Sequence, residues 1–257
     1  MSATIASTEQ SRVEYKSGDV VLQGLLCVPQ NKLAADPNFK LPAVIVFHAF
    51  EGITEFEEEQ TNNLAKLGYV AFAADVYGKD VKKSTQEEWF EVLKTFKDDR
   101  VGLLRPRLLA ALEQVKSLKY VDADKIGAIG FCFGGLCALD LARINSGILA
   151  AVSFHGSFTG LHDQPEPEKL EPIQASVLVC HGDADTHVPM AQCQELMTEL
   201  RARKADWQFV FYGNAKHGFT MPKLANCTRE GVGYNKLAAE RSWAAMLQHL
   251  NAALKLY

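Results

Sequence analysis

Residues 125–135 read KIGAIGFCFGG, and this run decides the fold. The first six residues are mostly apolar and predict a short buried strand, while residues 131–142, FCFGGLCALDLA, predict a helix directly after it. Cys132 lies at the turn between them, with glycines at 130, 134 and 135. A strand, a sharp turn and a helix with flanking glycines predict a nucleophile elbow, because any Cβ at those positions would collide with neighbouring backbone.

The predicted turn makes Cys132 the candidate nucleophile. We expect the turn to expose its sulfur at the N-terminus of the following helix, where the positive end of the helix dipole lowers the pKa of a thiol. A buried structural cysteine in a tight turn is the alternative interpretation.

Outward from the elbow, strands and helices alternate to the end of the chain. Apolar runs predict strands at 20–28, 43–47, 69–74, 148–154, 176–180 and 208–212. Helical spacing occurs at 55–67, over 84–119 in two pieces with the second starting near residue 98, and at 190–203 and 236–254. This alternation predicts an α/β fold with a mostly parallel, doubly wound sheet flanked by helices. No linker or repeat interrupts it, so we predict one domain over residues 1–257, without a large cap domain, and a poorly ordered tail at residues 1–12.

A carboxylate and a histidine follow Cys132 in the chain order that an elbow nucleophile requires. HGDADTHVP, residues 181–189, comes after one predicted strand, and GNAKHGF, residues 213–219, comes after the last. Catalytic groups of parallel sheets gather beyond the carboxyl ends of the strands, so these loops are expected to meet. We predict His217 as the base and Asp185 as the carboxylate that orients it.

Two alternatives stay open for these loops. Asp185 is preferred over Asp183 because it lies deeper in its loop, just before Val188 and Pro189. A loop-capping role for Asp185 and an ordinary surface place for His217 are the non-catalytic interpretations.

The oxyanion of an acyl-transfer reaction needs backbone donors close to the nucleophile. The N–H of Phe133, directly after Cys132, is the first candidate. The second is expected from the loop after the strand at 43–47, residues 48–52 (HAFEG), where we predict the N–H of Phe50.

Three further residues are predicted to line the pocket, with core packing as the alternative: Phe131, His155 and Phe219.

Together these motifs resemble the dienelactone hydrolase family from about residue 20 to the C-terminus. The resemblance rests on the GxCxGG elbow, the HGDADxxVP loop, the AxHGF segment around His217 and the HxxxG loop at 48–52. It implies an α/β-hydrolase fold with a Cys132–His217–Asp185 triad, no metal and no cofactor. It also implies hydrolysis of a small ester or lactone by a monomer or weak homodimer.

Two positions depart from the family pattern. Members carry a thiol-modulating glutamate where this chain has Ala49, and Glu51 is the nearest carboxylate that could replace it. Members also bind the substrate's carboxylate with an arginine shortly after the histidine, whereas residues 219–222 here read FTMP. The sequence therefore does not predict dienelactone itself as the substrate.

Composition narrows the partners. A net charge of −4 gives no attraction to nucleic acid or anionic lipid, so neither is expected. The six cysteines form no CxxC pair, which argues against a metal site. The N-terminal MSATIASTEQ does not resemble a secretory signal, and the expected location is cytoplasmic. The functional alternatives are a general carboxylesterase or thioesterase, and a non-catalytic ligand-binding protein.

Overall fold

The computed structural model describes residues 7–30, 39–160 and 167–256 of the chain. These residues divide into two compact units, one comprising the described residues up to Ala128 together with Leu256, and the other those from Ile129 to Lys255. The single domain over residues 1–257 stays a prediction.

The described part of the first unit combines strands with three α-helices. Its elements are β1 (Thr8–Ser17), β2 (Val20–Pro29), β3 (Leu41–Phe47), α1 (Glu55–Lys66), β4 (Val70–Ala74), α2 (Gln86–Asp98), a π-helical turn (Arg100–Leu104), α3 (Arg105–Lys116) and β5 (Val121–Phe131), whose last three residues belong to the second unit. The strands pair in the order β1-β2-β4-β3-β5. β3 is parallel to β4, whereas β2 is antiparallel to both β1 and β4.

Local sequence explains the central part of this unit. Every residue of β3 and β4 is buried, as expected for strands covered on both faces. Helix α1 begins with a capping box, in which the carboxylate of Glu57 accepts the backbone N–H of Thr54 at 2.9 Å. The other oxygen of Glu57 accepts the N–H of Ala49 at 3.1 Å, so the loop after β3 is attached to the start of α1.

The second unit begins inside β5 and continues as alternating helices and strands. Its elements are α4 (Phe133–Arg143), β6 (Ala150–Phe154), a 3₁₀ turn (Pro167–Lys169), β7 (Ser176–Gly182), α5 (Met190–Ala202), β8 (Trp207–Tyr212), a second 3₁₀ turn (Pro222–Leu224) and α6 (Lys236–Leu254). The strand order is β5-β6-β7-β8, and β7 is parallel to both β6 and β8. Phe154 pairs with Cys180, and Cys180 with Val210, so the carboxyl ends of these strands lie at one edge of the sheet.

The predicted fold class is confirmed: the sheet is mostly parallel and the fold is of the α/β-hydrolase type. The N-terminal part differs from its prediction, since the tail expected over residues 1–12 includes the start of β1 at Thr8, while residues 1–6 lie outside the described residues. β1 has few apolar side chains, so its sequence does not predict a strand. Pairing with β2 along its whole length makes it one.

The second helical piece also begins later than expected, at Arg105 rather than near residue 98. Pro106 in the first turn explains the start, because proline lacks the N–H that a helix interior needs. Across the ranges that the structure covers, no helix is both long and apolar enough to cross a membrane.

Candidate active site

Cys132 occupies a single-residue turn between β5, which ends at Phe131, and α4, which begins at Phe133. Its backbone has φ 54° and ψ −112°, a conformation that side-chain-bearing residues rarely adopt. Two backbone hydrogen bonds hold the turn: the N–H of Cys132 donates to the carbonyl of Phe154 at 3.0 Å, and its carbonyl accepts the N–H of Gly135 at 3.0 Å. The half-buried thiol therefore lies at the N-terminal end of α4.

The glycines around Cys132 are required by close backbone approach. A Cβ at Gly130 would overlap the carbonyl group of Gly134, in the first turn of α4. A Cβ at Gly135 would lie only 2.9 Å from the Cα of Gly156 and would overlap the hydroxyl of Ser153. The elbow geometry predicted from the glycine spacing is present.

A continuous chain of hydrogen-bonding distances joins three side chains of the second unit. Nε2 of His217 lies 3.1 Å from Sγ of Cys132, and Nδ1 of the same ring lies 2.9 Å from Oδ2 of Asp185. The structure thus brings together the three side chains that the sequence places 85 and 32 residues apart.

The Asp185 carboxylate contacts the His217 ring and also caps its own loop, which are the two roles considered for this residue. Its Oδ1 accepts the backbone N–H groups of His187 at 2.9 Å and Val188 at 3.1 Å, leaving Oδ2 for the imidazole. The Asp185 side chain is fully buried, whereas Asp183 is exposed. These bonds fix the carboxylate, and they explain why the later aspartate of the loop contacts the ring.

Electrostatics favour a charged histidine in this chain. Burial by itself would lower the pKa of His217, but attraction to the Cys132 sulfur and the hydrogen bond to Asp185 outweigh it and raise the pKa to about 10. His217 is consequently an imidazolium at neutral pH, a cation placed beside the Cys132 sulfur.

The His217 backbone is held from both directions. Its N–H donates to the carbonyl of Gly231 at 2.8 Å, and its carbonyl accepts the N–H of Gly233 at 3.0 Å. Two other imidazoles flank the ring: the His155 centroid lies 5.4 Å away and the exposed His187 centroid 5.5 Å away. Backbone and ring contacts together restrict the orientation of His217.

The three residues predicted to line the pocket are all buried. Phe131, His155 and Phe219 are at most 1% exposed, at the end of β5, directly after β6 and in the His217 loop. His155 contacts both Phe131 and Phe219 by ring packing. The pocket-lining role of these three residues stays a prediction.

Predicted residues of the first unit lie in the loop after β3. The carbonyl of Phe50 accepts the hydroxyl of Tyr77 at 3.1 Å, and its ring stacks on Phe90 with centroids 4.7 Å apart. Glu51 lines an open cavity of about 400 Å³, together with Tyr77 and Trp89. The roles predicted for Phe50, Glu51 and the Phe133 N–H stay predictions.

Within the described ranges, no group of three or more His, Cys, Asp or Glu residues could hold a metal ion. In His48, for example, both ring nitrogens are already engaged with backbone atoms. Its Nε2 accepts the N–H of Val76 at 3.2 Å, and its Nδ1 lies 2.6 Å from the Ala49 carbonyl.

Thr220 is a contact residue that the sequence analysis does not single out. Its hydroxyl lies 2.7 Å from Nε2 of His155. A threonine three positions after the histidine carries no pattern that would identify it, because the contact depends on β6 lying beside this loop.

Comparison with known proteins points to one family for the chain. The family model described as "Dienelactone hydrolase family" matches residues 25–254. A protein of Caenorhabditis elegans whose function is uncharacterised is 46% identical over 157 residues, covering 60% of this chain and 97% of the relative. A Synechocystis protein named "Putative carboxymethylenebutenolidase" is 27% identical over 222 residues, covering 83% of this chain and 87% of the relative.

A solved structure shares the architecture. It is described as a dienelactone hydrolase-like promiscuous phosphotriesterase from metagenomic libraries. It is 33% identical, covers 96% of this chain and 99% of its own, and superposes with a TM-score of 0.87.

Proposed function

The chain belongs to the dienelactone hydrolase family and is a hydrolase of ester or lactone bonds, and we propose that it cleaves a small ester or lactone through Cys132, His217 and Asp185. The observation that carries this proposal is the hydrogen-bonded chain from the carboxylate through the imidazole to the sulfur, with distances of 2.9 and 3.1 Å. A nucleophile, a base in contact with it and a third group that orients the base are what covalent catalysis requires.

Acylation begins with attack of the Cys132 thiolate on the substrate's carbonyl carbon. The negative charge that develops on the carbonyl oxygen is stabilised by backbone N–H donors, for which Phe133 and Phe50 are proposed. The tetrahedral intermediate collapses to an acyl thioester, and the departing alkoxide takes the proton of the His217 imidazolium. With a lactone, the alcohol formed in this step stays attached to the acyl group.

Deacylation reverses the roles of the imidazole. Neutral His217 takes a proton from water, and the resulting hydroxide attacks the thioester carbonyl. The carboxylic acid product leaves, and the thiolate and imidazolium are restored. Asp185 keeps Nδ1 protonated, so that Nε2 faces the sulfur throughout.

Glu51 is proposed to tune the thiol, in place of the glutamate that the family carries at the Ala49 position. We further propose a cytoplasmic place of action and a monomer or weak homodimer.

A general carboxylesterase or thioesterase uses the same acyl chemistry, so a panel of esters, thioesters and lactones is needed to rank substrates.

The proposal is tested by turnover of p-nitrophenyl acetate and a lactone panel, before and after treatment with iodoacetamide. We expect hydrolysis that is lost in proportion to alkylation of Cys132, located by peptide mapping. Absence of turnover with every member of the panel would favour a ligand-binding protein on this fold.

The pH dependence of alkylation tests the ion pair without any substrate. The raised pKa means that His217 keeps its proton at neutral pH and loses it near pH 10, above which the ion pair is lost. We expect the charged His217 to hold Cys132 as a thiolate, so that its alkylation at about pH 6 is faster than that of a free thiol. In His217→Asn the thiol loses its charged partner, and the rate at pH 6 should fall by about 10²-fold, following a free thiol with a pKa of about 8.5. Superimposable profiles would contradict the ion pair.

A further inference from the structure

His155 directly follows β6 and joins two parts of the candidate active site. The residue before it, Phe154, accepts the N–H of Cys132 through its carbonyl at 3.0 Å. The His155 ring reaches the other way, with Nε2 2.7 Å from the hydroxyl of Thr220 in the loop that carries His217. The carboxyl end of β6 is therefore a common support for the nucleophile turn and the histidine loop.

The backbone at this support is strained. His155 has φ 38°, in the left-handed region that residues with a Cβ rarely adopt. Its N–H donates to the carbonyl of Cys180 in β7 at 2.8 Å, which fixes the strained residue to the neighbouring strand. Strain of this kind persists only where surrounding contacts impose it. In this conformation the His155 ring contacts His217 and Thr220.

The polarity of the ring points to a role beyond packing. His155 is fully buried, and its Nδ1 has no hydrogen-bond partner among the described residues. Burying a polar atom without a partner destabilises the fold, a cost that phenylalanine of similar shape would avoid. What the imidazole provides and phenylalanine cannot is the hydrogen bond to Thr220.

The ring also contacts His217 itself, edge to face, at an interplanar angle of 65°. Its burial and the neighbouring His217 lower the pKa of His155 well below its ordinary value, so the ring stays neutral next to the imidazolium. A neutral ring adds no repulsion to the charged form of His217. Among the described residues, Cys132, Asp185 and His187 contact the His217 ring, and buried His181 interacts with it electrostatically.

We infer that His155 is a positioning residue, which holds the His217 ring in line between Asp185 and Cys132 through its edge contact and its hydrogen bond to Thr220. The inference rests on the proposed role of His217 in hydrolysis. Loosening the Thr220 bond lets the histidine loop shift, and small displacements of a reacting group lower the rate of the chemical step.

Two substitutions test the bond from opposite ends. His155→Phe keeps the ring, and Thr220→Val keeps the side-chain shape, but each removes the hydrogen bond. We expect each to lower kcat by about 10- to 100-fold with little change in KM. The double variant should be no slower than either single variant, because both remove the same interaction. Thr220→Ser retains a hydroxyl and should stay close to wild type.

His249→Phe is the matched control. His249 is also a mostly buried histidine, and its Nε2 lies 3.2 Å from the Ser176 hydroxyl, but it belongs to α6. We expect wild-type kcat for this variant. If His155→Phe does not fold, half-buried Thr220 carries the test alone.

The pH profile of Cys132 alkylation separates this inference from the proposed function. We expect the profile of Thr220→Val to move toward that of a free thiol, since a displaced His217 holds the thiolate less well. Folded variants with wild-type kcat and a wild-type alkylation profile would overturn the positioning role. A wild-type protein without turnover would contradict the proposed function instead, and the alkylation profiles would still decide the role of His155.

Discussion

Replacing Cys132 with alanine is expected to lower kcat/KM for a small ester by about 10⁴- to 10⁶-fold, because the sulfur forms the acyl bond that both steps share. The measurement is steady-state hydrolysis of p-nitrophenyl acetate by purified variants whose folding is checked by circular dichroism. Cys132 is only half-buried, so the fold should be retained when alanine removes the thiol and its contact with His217.

Cys227→Ala is the control for this variant, since Cys227 is the other half-buried cysteine among the described residues. It should keep wild-type activity. Retention of more than about a tenth of the activity by Cys132→Ala would mean that another group performs the attack.

Gly130→Ala is expected to lower the free energy of unfolding by about 3 kcal/mol or more, the largest loss of stability among the substitutions proposed for this protein. The added Cβ overlaps the backbone of Gly134 rather than a flexible side chain, so α4 must move away from the end of β5. Urea denaturation measures the loss. Reactivity of Cys132 toward iodoacetamide should fall as well, because the elbow no longer holds the sulfur at the helix end.

Gly213→Ala provides a matched glycine substitution. Gly213 is exposed, its φ lies outside the left-handed region, and nothing lies within 4 Å of an added Cβ. We expect a change within about 0.5 kcal/mol. Equal stabilities of the two alanine variants would show that the backbone approach at the elbow does not require glycine.

The elbow and the loops beyond the strands are predictable from the sequence because their determinants are local. Glycines at fixed spacing around Cys132 specify the turn, and apolar runs followed by the loops at 181–189 and 213–219 specify one edge of the sheet. The order nucleophile, carboxylate, histidine then limits which side chains can meet. The choice of Asp185 over Asp183 has a local basis too, since the cap formed with the N–H groups that follow it turns the carboxylate inward.

Other features depend on contacts between distant segments. β1 carries polar side chains over most of its length, and only its pairing with β2 makes it a strand. The burial of His155 and its bond to Thr220, 65 residues away, follow from the packing of β6 against the His217 loop. A sequence pattern gives no signal for either, because no repeat or spacing connects the two partners.

The central claim is that hydrolysis passes through a thioester on Cys132. Rapid acid quenching during turnover of p-nitrophenyl acetate, followed by digestion and mass spectrometry, measures it directly. We expect one acetyl group on the peptide that contains Cys132, decaying at the rate at which acetate is released. Turnover without any acetyl group on Cys132, or with one on a different side chain, would contradict it.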